Sequence, residues 1–160
     1  MPTLIEFIRA DKSDLDEGMW QTGHVSQSAF PLSRAKKKHF RFGPEYKWRL
    51  VRFKALGFKC RVLILFNSQK YICRSTFAVE VENDLAVLCN HEYHADHPGW
   101  HCHLVHTPHD KVAPGVIRTG QRRWPGPNAN HAKCEFDLSE ASALSHVAAR
   151  YRFQAQGGLL

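Results

Sequence analysis

The chain has 160 residues, a net charge of +7 and a pI near 9.3. Apolar residues make up 43% and charged residues 23%, which excludes wholesale disorder and predicts one domain, or one domain with an extra arm. No apolar run approaches the length of a membrane span, so a membrane is not predicted as partner.

Residues 1–43 read as a mixed-charge N-terminal arm, and residues 44–160 as an α+β metal-binding domain. The arm opens with Leu4, Ile5, Phe7 and Ile8, turns acidic through Asp11, Asp14, Asp16 and Glu17, and ends polar and basic around Lys36, Lys37 and Lys38. Its start, MPTLIEFIRADKSDLDE, has no basic stretch leading into an apolar run, which argues against a secretory leader. Residues 18–79 carry thirteen Lys or Arg against the single acid Glu45. Such a basic block favours a polyanionic partner, nucleic acid first.

From Tyr46 the pattern becomes YKWRLVRFK, apolar and basic residues alternating at period two apart from the Leu50–Val51 step. That is strand periodicity, and it sets Lys47 and Arg49 opposite Trp48 and Leu50. The runs RVLILF, KYIC, FAVEV, LAVLC and WHCHLVH follow, separated by short polar breaks, and predict a mostly antiparallel meander. Residues 107–131, rich in Pro, Gly and Arg, read as a loop; within it Arg118, Arg122, Arg123 and Trp124 have a composition suited to gripping a nucleic-acid strand. DLSEASALSHVAARYRF predicts a C-terminal helix with Asp137 as N-cap and Leu144, Val147, Ala148 and Tyr151 on one side. The five cysteines are odd in number, lack a C-x-x-C pair and mostly sit in apolar runs, as reduced core residues in the cytoplasm would.

The chemistry concentrates in NHEYHADHPGWHCHLVH, residues 90–106, which holds six of the eleven histidines. If WHCHLVH is a strand, His101 and His103 project from one face while Cys102 and Leu104 enter the other. Two neighbouring imidazoles are half of a metal site, and a third ligand is available from His91, His94, Asp96 or His97 just upstream. A structural zinc site drawing on Cys89 or Cys134, or a solvated histidine-rich loop, are the other readings of the same residues.

The spacing His94-x-Asp96-x-x-x-x-His101-x-His103 resembles the H-x-D-x-x-x-x-H-x-H signature of mobilisation relaxases in the HUH endonuclease superfamily. The resemblance implies a ferredoxin-like sheet, a divalent metal (Mn, Mg or Zn) on His94, His101 and His103, and Asp96 steadying His94. It also implies nicking or strand transfer on single-stranded DNA, with a tyrosine attacking a phosphate polarised by the metal. No tyrosine precedes Tyr46, so the implied nucleophile is Tyr151 on the C-terminal helix, where single-tyrosine transposases and rolling-circle initiators place theirs. A nucleic-acid-binding module with a structural metal, or another metal-dependent hydrolase, are the alternatives.

Overall fold

The computed structural model describes residues 1–26, 29–30, 39–81, 84–94, 99–105, 121–126, 129 and 131–154. It is an α+β fold whose elements run α1 (Leu4–Arg9), β1 (Ser13–Asp16), β2 (His24–Ser26), β3 (His39–Arg41), β4 (Lys47–Ala55), β5 (Phe58–Asn67), β6 (Ile72–Val81), β7 (Asp84–Tyr93), β8 (His101–Val105), β9 (Gln121–Trp124) and α2 (Glu140–Tyr151). Seven strands form one antiparallel sheet in the order β1-β4-β5-β6-β7-β8-β9, and β2 pairs with β3 in a separate ribbon. Strands β4 to β9 pair antiparallel in chain order, the order of a meander rather than of a ferredoxin-like sheet, and among the described residues no helix lies between them.

The alternation in β4 explains both the sheet and its layers. Trp48 and Leu50 enter a core with Val25, Phe30, Leu63, Leu65, Ala78, Leu85 and Val87. Val51, Phe53 and Ala55 enter the other, with α1, α2 and the facing residues of β5 and β6. The Leu50–Val51 step is therefore a continuation of period two in a strand covered on both faces, not a change of register. Burying each large aliphatic or aromatic side chain in these layers stabilises the fold by about 1.5–3 kcal/mol. At the tip of the β4–β5 hairpin, Leu56 and Gly57 both take positive φ (52° and 79°), the backbone of a tight turn that follows the strand twist.

The N-terminal stretch is tied into this frame. A Thr3–Glu6 capping box starts α1. Phe7, fully buried, meets Phe58 edge-on with ring centres 5.6 Å apart. The acidic run forms the edge strand β1 against the basic β4, with Asp14–Lys54 at 2.7 Å, Asp16–Arg52 at 3.4 Å and Glu17–Arg49 at 3.6 Å. Every Lys and Arg from residue 47 to 74 has a carboxylate within 4 Å, the others being Lys47–Glu140, Lys59–Glu80, Arg61–Glu80, Lys70–Glu45 and Arg74–Glu92.

The C-terminal helix starts later than its sequence suggests. Ser139, not Asp137, is the N-cap: its hydroxyl accepts from the Ser142 amide, and the Ser142 hydroxyl accepts from the Ser139 amide. Asp137 instead offers its carbonyl to the Ser142 hydroxyl at 2.6 Å. The helix buries Ala143, Val147, Ala148 and Tyr151 against the sheet, leaving Leu144 at the margin.

One irregularity in β7 decides what lies near the end of the sheet. Phe77 pairs with Cys89 but Ala78 pairs with Val87, so Leu88 is an extra residue, a β-bulge. Before it, odd-numbered residues (Leu85, Val87) face away from α2; after it, even-numbered ones (Asn90, Glu92) do. Both Leu88 and Cys89 enter the α2-side core.

Candidate metal centre

Cross-strand register assembles the site. On the face away from α2, the row Trp48–Leu65–Arg74–Glu92–His101 crosses from β4 to β8, and the next row is Leu50–Leu63–Thr76–Asn90–His103–Arg123. Each row is apolar over β4 and β5 and polar from β6 onward. The apolar half lies in the second core with Val25 and Phe30. The polar half carries a carboxylate, two histidines on β8 and two arginines.

Glu92 is the centre of this patch. It is 2% exposed, and its Oε2 accepts from the Arg74 guanidinium at 3.1 Å and lies 3.8 Å from His94 Nε2. Its Oε1 lies 3.6 Å from His103 Nε2. A carboxylate removed from water is costly unless cations or donors surround it, and this one has an arginine and imidazoles on both oxygens. One donor atom each from Glu92, His94 and His101 fall within 4.8 Å of one another. A first-row ion binds nitrogen and oxygen at about 2.0–2.2 Å, so the three donors need to close inward by about an ångström to hold it.

His101, 2% exposed, is the best oriented of these three side chains. Its Nδ1 donates to the Gly99 carbonyl at 3.0 Å, which fixes the ring and the tautomer with the lone pair on Nε2. His94, His103 and His131 all meet the His101 ring edge-on, with centres at 5.1, 5.4 and 6.4 Å. Two imidazoles and a carboxylate are a donor set suited to zinc and other first-row transition ions.

The structure thus brings together His94 and His101 from the sequence motif and adds Glu92, with His103 reaching the other Glu92 oxygen. Glu92 was readable as the residue two before His94 on a strand, but only the bulge puts it, and not His91, on this face. His91 goes to the α2 side, stacked on Trp100 with ring centres 4.8 Å apart and on His146 at 5.6 Å. Burial there, with Arg150, His146 and His101 nearby, lowers its pKa to about 3.

Tyr151 is not brought to the histidines. It is fully buried in the α2-side core, its ring 5.3 Å from Phe77 and its hydroxyl 3.2 Å from Ser75 Oγ. Ser75 shares the α2 face with His91, its pairing partner, whereas Glu92 and His101 project from the other face. Burial also pushes the Tyr151 hydroxyl well above the usual phenol range, which disfavours the phenolate a nucleophile needs.

The other candidate positions divide. Lys47 pairs with Glu140, and Arg49 donates to the Glu17 and Gly18 carbonyls at 2.7 and 3.0 Å while lying over Trp20, so both fasten the fold. Trp124 is 69% exposed. Arg123 pairs in register with His103, and its Nε and one terminal nitrogen are buried with no hydrogen-bond partner among the described residues. Asp96, His97, Lys36, Lys37, Lys38, Arg118 and the Arg122 side chain lie outside the described residues. All five cysteines are free thiols, four of them buried. Among the described residues no helix is long and apolar enough to cross a membrane. No family model matches the chain, and neither a curated protein nor a solved structure does.

Proposed function

We propose that the protein is a divalent-metal-dependent enzyme that cleaves a phosphate ester, with a single-stranded nucleic acid as the substrate class, and that water rather than Tyr151 is the nucleophile. The observation that carries this reading is the convergence of Glu92, His94 and His101 within 4.8 Å on the sheet face that also carries Arg123. A metal held there supplies Lewis acidity and a more acidic bound water. The protein's own groups do the rest. Arg123, with buried N–H groups lacking partners among the described residues, is suited to pair with a phosphate oxygen. His103, beside Glu92 and opposite Arg123, is placed to take or give a proton at Nε2. Arg74 pairs with Glu92 at 3.1 Å and orients its carboxylate.

The burial of Glu92 and His101 supports a second reading, a nucleic-acid-binding module in which the metal is structural. One experiment separates them. The protein is incubated with labelled single-stranded DNA and RNA under Mn2+, Zn2+, Mg2+ or chelator, alongside Glu92→Gln, His101→Ala and Tyr151→Phe. Metal-dependent cleavage lost in the first two variants and kept in Tyr151→Phe is the expected result. A covalent protein–DNA band that vanishes in Tyr151→Phe would replace the proposal with relaxase chemistry. Strand binding without cleavage, and unfolding on chelation, would favour the module.

A further inference from the structure

We infer that His131 is a fourth ligand of the same centre, making it a site of three imidazoles and one carboxylate that selects a first-row transition ion over Mg2+; this rests on the metal reading of Glu92, His94 and His101. His131 stands thirty residues beyond His101, outside the histidine-rich stretch, and its position follows from tertiary contacts alone.

Three observations converge. His131 Nε2 is buried and has no hydrogen-bond partner among the described residues. A buried nitrogen left unsatisfied is costly, and a ligand or a proton donor at Nε2 would remove that cost. Second, the opposite ring nitrogen is anchored: Nδ1 donates to the Ala129 carbonyl at 2.6 Å. His101 is held the same way by Gly99, so both rings keep a proton on Nδ1 and turn an Nε2 lone pair elsewhere, as metal-binding histidines do. Third, the segment carrying His131 is clamped to the histidine loop. Trp100 donates its amide to the Ala132 carbonyl at 2.8 Å, and Gly99, at φ +101°, lets the two backbones touch. A Cβ on Gly99 would lie 2.3 Å from the Ala132 carbonyl oxygen and 3.0 Å from His131 Cβ.

The other unsatisfied histidine nitrogens do not form a site. His91 Nδ1 and His146 Nε2 belong to rings stacked 12° from parallel, which present faces rather than lone pairs to each other. His131 instead stands at 80° to His101. Three neutral imidazoles and one carboxylate carry a charge of −1, so a divalent ion leaves the centre positive and receptive to an anion. Imidazole-rich sets bind zinc, cobalt, iron or nickel, whereas Mg2+ prefers oxygen donors and retains its water.

Cobalt titration tests this without any assay of activity. Metal-free wild type, His131→Ala, His131→Asn, Glu92→Gln and His101→Ala are titrated with Co2+, reading visible ligand-field absorption, then with Zn2+ in competition. The Asn amide can still donate to the Ala129 carbonyl, so that variant keeps the anchor and loses the ligand. Thermal melting of the metal-free proteins checks that each variant folds. The expected result is one cobalt per wild-type chain, undisturbed by millimolar Mg2+, with affinity about 10–100-fold weaker and an altered spectrum in both His131 variants. His131→Asn matching wild type in spectrum and affinity overturns the fourth ligand while leaving the three-donor site intact. Unchanged binding in Glu92→Gln and His101→Ala, or no binding by wild type, overturns both.

Discussion

At the scale of single residues, the centre depends on side chains whose roles differ although their types repeat. Glu92 is the one carboxylate among the donors, and its two oxygens face Arg74, His94 and His103. Glu92→Gln keeps the shape and removes the charge, so metal affinity is expected to fall about 100-fold or more, measured by competition with a chromophoric chelator. Tyr151→Phe is expected to leave metal binding and any cleavage unchanged, and to cost about 1 kcal/mol in denaturant unfolding through the lost contact with Ser75. A phenol sealed among Phe77 and the α2 residues is a core side chain that keeps a polar partner.

Elements set the pH response and the rigidity of the site. Where α2 meets β7, His91, Trp100 and His146 form a stack, with Trp100 and His146 4.2 Å apart. Burial lowers the pKa of His91 to about 3, and that of His146 also falls, so both rings favour the neutral form in the fold. Between the unfolded value of about 6.5 and the folded one, the unfolded chain binds more protons. Stability is therefore whole above about pH 6.5 and declines as pH falls toward 3. His91→Phe retains the stack and is expected to flatten this slope by up to about 1.4 kcal/mol per pH unit, checked by urea unfolding from pH 7 to pH 4. Gly99 links the loop before β8 to residues 131–132. Gly99→Ala meets both a positive φ and a carbonyl at 2.3 Å, so it is expected to lose about 1–3 kcal/mol from the backbone conformation alone, with a lower melting temperature and weaker metal binding.

For the whole molecule, the charge asymmetry is spent largely on the fold. The acidic N-terminal run lies along β4, and the Lys and Arg residues of β4 to β6 all have carboxylate neighbours. A net +7 thus translates into a weaker polyanion field on this face than the linear sequence suggests. Asp14→Asn with Asp16→Asn is expected to release Lys54 and Arg52 and to shift elution from heparin to higher salt, with little change in melting because these pairs are exposed.

Local pattern alone determined strands β4 to β8, the C-terminal helix and the stretch that carries the histidines, whereas β1 to β3 lie in the segment read as an arm and β9 in the one read as a loop. Period two in β4 and the one-sided spacing of Val147, Ala148 and Tyr151 in α2 are properties of neighbouring residues, and they survive in any arrangement of the chain. Only tertiary structure decided which face each histidine serves. A single extra residue at Leu88 inverts the alternation, sending His91 into the aromatic stack and Glu92 to His101. It also decided that Tyr151 is core and that His131 stands beside His101. Bulges, cross-sheet layering and loop docking depend on contacts between residues distant in the chain, and a periodicity read along the sequence carries no record of them.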